Sequence, residues 1–291
     1  VLRVQEKVLY IRKMSDTTKE PESALRQEQE WQEEVDGALS AKEPFVISAT
    51  RCGSTIIQKV GSYALHGRAG VLRKSHCDFS PAPLFGNVPV IIAVRNPMYV
   101  FLSMYRTSYL DAEAIPNRSI SEEHYRDFMN YRTCLKCGKS GACCTRQESE
   151  ILKNLDILSN LYNIAVSFNP KDVCLIKYED IIGPELGDYT KLYTKLCSFF
   201  NKPFDSQVLS EMHEELDYNK IKSETKSLKS FENSGNGYQG LHIGEALGLD
   251  DDKDQDKFEW RIKFMKSCLP IIEKEIIHNK FHSSIMSHYY L

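Results

Sequence analysis

Twice in this chain an apolar, β-branched run ends abruptly in a small or charged turn and then gives way to helix-like sequence. Pro44-Phe45-Val46-Ile47 leads into Ser48-Ala49-Thr50-Arg51-Cys52-Gly53-Ser54-Thr55. Val88-Pro89-Val90-Ile91-Ile92-Ala93-Val94 leads into Arg95-Asn96-Pro97, with Ser103 eight residues past the arginine. A strand that delivers a small, hydroxyl-rich turn to a helix N-terminus builds an anion cradle, because free backbone N–H groups and the helix dipole converge on one point. Two such cradles, each with an arginine, predict a ligand carrying two well-separated phosphate groups.

A third apolar run, Val173-Cys174-Leu175-Ile176-Lys177-Tyr178, completes the pattern. Apolar strands alternating with helices predict an α/β fold: a single domain with a central, mainly parallel β-sheet flanked by helices. Apolar spacing predicts helices over 25–40 (Leu25, Trp31, Val35 and Leu39 on one side), 55–65, 98–109, 151–168, 189–200 and 257–279. The helix over 189–200 is stopped by Asn201-Lys202-Pro203. A short strand is expected over 70–76, a Pro-containing loop over 80–89 and a Gly- and Asp-dense loop over 235–256. Residues 1–24 read as a flexible N-terminal segment, and 25–291 as the domain, with an irregular, cysteine-rich insertion around 111–150.

With 37 basic and 40 acidic residues, the net charge of −3 argues against a nucleic-acid binder working through a broad basic field. No run approaches the roughly 18 apolar residues needed to cross a bilayer, so no membrane span is expected. The basic residues Arg3, Lys7, Arg12 and Lys13 lie in a segment that lacks the continuous apolar core of a secretory signal. Nine cysteines are an odd count scattered through strands and helices, which predicts reduced thiols and a cytoplasmic setting. Cys134-x2-Cys137-x5-Cys143-Cys144 leaves three readings open: a zinc thiolate site, a redox-labile pair, or an unligated thiol-rich insertion.

The first cradle is not a Walker A loop: Ser48 holds the place of that motif's first glycine and Ser54 the place of its lysine. It resembles instead the 5′-phosphosulfate loop of the sulfotransferases that use 3′-phosphoadenosine 5′-phosphosulfate (PAPS), a P-loop-like fold. Arg51, Cys52, Gly53, Ser54 and Thr55 fall on that pattern, with Arg51 in the place of the family's catalytic lysine. Arg95-Asn96-Pro97 with Ser103 is similar to the family's 3′-phosphate motif. Lys74-Ser75-His76 resembles the Lys-Thr-His that supplies the catalytic base in cytosolic members, and Tyr178-Glu179-Asp180 the segment whose tyrosine lies against the adenine. Ser230-Phe231-Glu232 is similar to the Ser-Phe pair that packs on the same ring. The matches run in the family's order over roughly 44–244. Ile56 replaces the usual aromatic residue over adenine, and the late Arg-Lys-Gly-x-x-Gly segment has only His242-Ile243-Gly244 as its nearest counterpart.

The resemblance implies an enzyme that transfers a sulfuryl group from PAPS to a hydroxyl of a small-molecule acceptor and releases PAP. His76 is the implied base, its ordinary pKa near 6.5 suiting neutral pH, and Arg51 and Lys74 stabilise the charge on the moving group. Arg51, Cys52, Gly53, Ser54, Thr55, Arg95, Ser103, Tyr178, Phe231, His242 and Gly244 are the implied nucleotide contacts, and no metal is required. A glycan sulfotransferase, a P-loop kinase-like enzyme and a non-catalytic nucleotide-binding module are the competing readings. Against each residue stands a plainer one: a salt-bridged arginine, a satisfied structural histidine, a capping hydroxyl or a core aromatic.

Overall fold

Alternate residues along the apolar runs pack to opposite sides of one sheet. The computed structural model describes residues 22–70, 72–76, 82–97, 99–100, 132–134, 147–181 and 188–225. Within them, β1 (Phe45–Ser48), β2 (Arg73–Ser75), β3 (Val90–Val94) and β6 (Val173–Lys177) form a sheet in the order β2-β1-β3-β6, every pair parallel. The register sets Val46, Ile91 and Cys174 in one row and Phe45, Val90 and Val173 in the next. The first row joins one hydrophobic core and the second row joins another. Strands covered on both faces read as continuous apolar runs rather than alternating ones, which is why these were legible.

Helices α1 (Glu22–Ala41), α2 (Ser54–His66), α3 (Glu150–Ser167) and α5 (Thr190–Phe199) complete the two layers. On one face α2 buries Ile57, Val60 and Ala64, and α5 buries Leu192, Tyr193 and Leu196. On the other, α1 sends in Trp31, Val35 and Ala38, and the Trp31 ring meets Phe45 edge-on at 5.6 Å. Helix α3 serves both cores, with Leu155 and Leu158 in the first and Leu161 and Ala165 in the second. The architecture is the expected α/β domain with a central parallel sheet flanked by helices.

Local departures from the sequence reading have physical causes. β3 begins at Val90, not Val88: Pro89 has no N–H to give the ladder, and its carbonyl accepts the Phe45 N–H at 3.0 Å instead. β2 shrinks to three residues, and Ala82–Leu84 forms a 3-10 turn in the Pro-containing loop. Tyr178, read as the end of a strand, opens the short helix α4 (Tyr178–Ile181). The ladder stops because Lys177 faces Val94, the last residue of its neighbour. The region around 111–150, read as irregular, contains an antiparallel ribbon of β4 (Arg132–Cys134) and β5 (Gln147–Ser149). Helix α1 starts at Glu22, three residues before the expected Leu25.

Two further helices were not anticipated, α6 (Ser206–Glu215) and α7 (Tyr218–Thr225). The start signal for α6 was present: Asp205 accepts the backbone N–H groups of Gln207 and Val208 as an N-cap. Among the described residues no helix is long and apolar enough to cross a membrane. Cys137, Cys143 and Cys144, and the helices expected over 98–109 (beyond its first turn) and 257–279, lie outside the described residues.

Candidate functional site at the carboxyl ends of the sheet

The strand order decides where a ligand can sit. β1 lies between β2 and β3, so the chain leaves β1 in one direction to make β2 and then returns across it to make β3. That reversal opens a crevice beyond the carboxyl ends of β1 and β3, the position where open α/β sheets take their ligands. Both arginine-bearing turns fall there, side by side.

The turn after β1 is built under backbone constraint. Arg51 has φ of 68°, a left-handed conformation that costs a non-glycine residue about 1–2 kcal/mol. Gly53 has φ of 77°, and a Cβ there would come within 2.5 Å of the Tyr178 ring, so glycine is required twice over. Gly53 is also the N-cap of α2, and among the described residues no side chain caps that helix. Its first-turn N–H groups are therefore left for a ligand or solvent. The turn is pinned from below by Asn154 of α3, whose Oδ1 accepts the Thr50 N–H at 3.1 Å. Burial pushes the Cys52 thiol far up, so Cys52 stays a protonated thiol, and its Sγ–H donates back to the Thr50 carbonyl at 3.8 Å.

β2 delivers two basic side chains to the same place. The Lys74 Nζ donates to Thr55 Oγ1 at 3.0 Å, which sets its ammonium beside the first turn of α2. Partial burial lowers the Lys74 pKa. The His76 Nδ1 lies 3.1 Å from Ser48 Oγ. His76 is exposed at its surface although protein atoms crowd around it. That crowding, with the Lys74 and Arg51 cations, pushes its pKa down to about 4, against the near-6.5 value expected from sequence. The ring is neutral at physiological pH, and a weaker base than anticipated.

The turn after β3 is more deeply enclosed. Arg95 is 3% exposed; its Nη1 donates to the Arg51 carbonyl at 3.1 Å, and its guanidinium lies 4.0 Å from the centre of the Tyr178 ring. A desolvated contact of that kind is worth about 2 kcal/mol. The Asn96 N–H donates to Glu179 Oε1 at 2.8 Å. Among the described residues two buried atoms here have no partner, Arg95 Nε and Glu179 Oε2. The orphaned guanidinium N–H is a spare donor for an anionic group near the turn that carries Arg51, and the orphaned Glu179 oxygen is a spare acceptor.

Of the residues singled out from sequence, Arg51, Cys52, Gly53, Ser54, Thr55, Lys74, His76, Arg95 and Tyr178 come together at this sheet end. Ser103, Phe231, His242 and Gly244 lie outside the described residues. Tyr178, expected against a nucleotide base, already shares its ring with Arg95 and Gly53. Sequence reasoning missed Asn154, Glu179 and the pairing of Ser48 with His76. Asn154 carried a signal, a polar residue one turn before Leu158 on the apolar stripe of α3; a buried amide there must find a partner.

No family model matches the chain, and no curated protein matches it. Among solved structures the chain is similar to a mouse sulfotransferase crystallised in complex with PAP. The similarity covers 79% of this chain and 88% of that one, at 14% identity and a TM-score of 0.45. A likeness of that size decides neither ligand nor reaction, so the case for function stands on this chain's own residues.

Proposed function

We propose that the chain is a PAPS-dependent sulfotransferase acting on a hydroxyl of a small-molecule acceptor. The observation that carries the reading is the convergence of Lys74, His76 and the uncapped N-terminus of α2 at one sheet end, beside a second turn with a buried, partly unsatisfied arginine. That donor set suits a ligand with anionic groups at two places, and it includes a neutral imidazole for proton transfer.

PAPS supplies an activated sulfuryl group, whose bond to the bridging 5′-phosphate oxygen breaks as the bond to the acceptor oxygen forms. The N–H groups of Ser54 and Thr55, with Arg51, hold the 5′ end, and Lys74 adds its charge where negative charge builds. Arg95 with Ser103 holds the 3′-phosphate, Tyr178 and Phe231 border the adenine, and His242 and Gly244 close the nucleotide site. His76 takes the proton of the acceptor hydroxyl. In a transfer of this loose type, positioning and charge stabilisation carry most of the rate.

The test is transfer of labelled sulfate from PAPS to phenols, alcohols and oligosaccharides, with calorimetry of PAP binding beside it. Sulfate transfer to phenols or alcohols supports the reading, and transfer to oligosaccharides alone makes the chain a glycan-directed enzyme. The depressed basicity of His76 favours a second reading, a nucleotide-binding module without turnover. PAP binding with no transfer to any acceptor is its signature. Absence of PAP binding overturns both.

A further inference from the structure

The sheet register brings a second side chain to the base. β1 and β2 pair in parallel with Ile47 opposite Ser75, so one residue further on Ser48 comes level with His76. The Ser48 hydroxyl lies 3.1 Å from His76 Nδ1, and the Ser48 side of that contact is fully buried. Backbone hydrogen bonds from Ser48 and Ala49 act on the same ring, in the direction that favours a ring N–H. A serine hydroxyl can accept from a ring N–H or donate to a bare ring nitrogen, so the tautomer of His76 sets the direction of the Ser48 contact.

We propose that Ser48 is a positioning residue for His76: its hydroxyl accepts from Nδ1–H, fixes that tautomer and leaves the Nε2 lone pair as the proton acceptor. The assignment rests on the reading of His76 as the base. A neutral imidazole has one donor nitrogen and one acceptor nitrogen, and the partner of the first decides which is the second. The charged groups acting on the ring are Lys74 from β2 and Arg51 from the turn after β1, both cations. They add to the burial that keeps the imidazole neutral but cannot orient it, since neither accepts a hydrogen bond. The orienting duty that a carboxylate performs in a Ser-His-Asp triad falls here to the Ser48 hydroxyl.

The full chain, labelled with ¹⁵N at histidine, tests this by long-range ¹H–¹⁵N spectra at neutral pH, with His76 assigned by its loss in His76→Gln. The expected spectrum shows His76 as the Nδ1–H tautomer, shifted toward the Nε2–H form in Ser48→Ala and retained in Ser48→Thr. In turnover, Ser48→Ala should lower kcat roughly 10- to 100-fold with KM for PAPS unchanged, lose nothing further in a His76→Ala background, and recover in Ser48→Thr. A Nε2–H tautomer in the unaltered chain overturns the proposal, and needs no variant to fold. So does a His76 spectrum indifferent to Ser48→Ala. Because the spectra require no turnover, failure of sulfate transfer with the expected tautomer intact counts against the enzymatic reading and spares the positioning contact.

Discussion

The two turns at the carboxyl end of the sheet are adjacent in space and opposite in character. The β1 turn, with the end of β2 beside it, presents a helix start uncapped among the described residues, a partly buried lysine and a solvent-exposed histidine. The β3 turn is closed: Arg95 is buried, stacked on Tyr178 and tied to the Arg51 carbonyl. An open cluster of cations around a neutral base suits chemistry, whereas a buried arginine with one free N–H suits a fixed grip and a structural tie at once. The contrast teaches that the two arginines are not independent cradles. Arg95 holds the backbone on which Arg51 is displayed.

The largest effect should separate chemistry from grip. His76→Ala is expected to lower kcat roughly 10²- to 10⁴-fold while PAP affinity, read by calorimetry, stays within a few-fold. Arg95→Ala should do the reverse first, weakening PAP binding by roughly 30-fold or more and lowering the melting temperature, because the Arg51 carbonyl and the Tyr178 face lose their partner. If Arg95→Ala changes kcat alone, the division between the turns is wrong.

Smaller effects sharpen the comparison. Gly53→Ala should cost about 1–3 kcal/mol in denaturant unfolding, since a Cβ at φ of 77° is strained and meets the Tyr178 ring. Arg51→Gly should stabilise the fold by about 1 kcal/mol by relieving the left-handed backbone, while it removes turnover. The pH dependence is smallest. His76 has a folded pKa pushed down to about 4 from an ordinary 6.5, so between these values the unfolded chain binds more protons and stability falls as pH falls. Above pH 6.5 this contribution is flat. His76→Gln should remove that slope from a series of melting temperatures between pH 4 and 6.5.

Much of this was legible in the chain. Runs such as Val90–Val94 are buried on both faces and therefore continuously apolar, so the three long strands and their parallel sheet could be read, though not their exact ends. The turn residues were legible because small, hydroxylated and basic residues directly after a strand have few other uses. What could not be read was contact across the sheet. The pairing of Ser48 with His76 depends on the β1–β2 register, the seat of Thr50 depends on Asn154 more than a hundred residues away, and the pKa of His76 depends on cations from two elements. The burial of Arg95 was hidden for the same reason, since a guanidinium reads as a surface group until Tyr178 and the Arg51 carbonyl are brought to it.

The central claim is that both turns hold one bis-phosphorylated adenosine. A crystal structure of the chain grown with PAP tests it most directly. The account predicts the 5′-phosphate at the N-terminus of α2 and the 3′-phosphate at the turn that carries Arg95. A nucleotide seated away from either turn, or absent at saturating PAP, would contradict it.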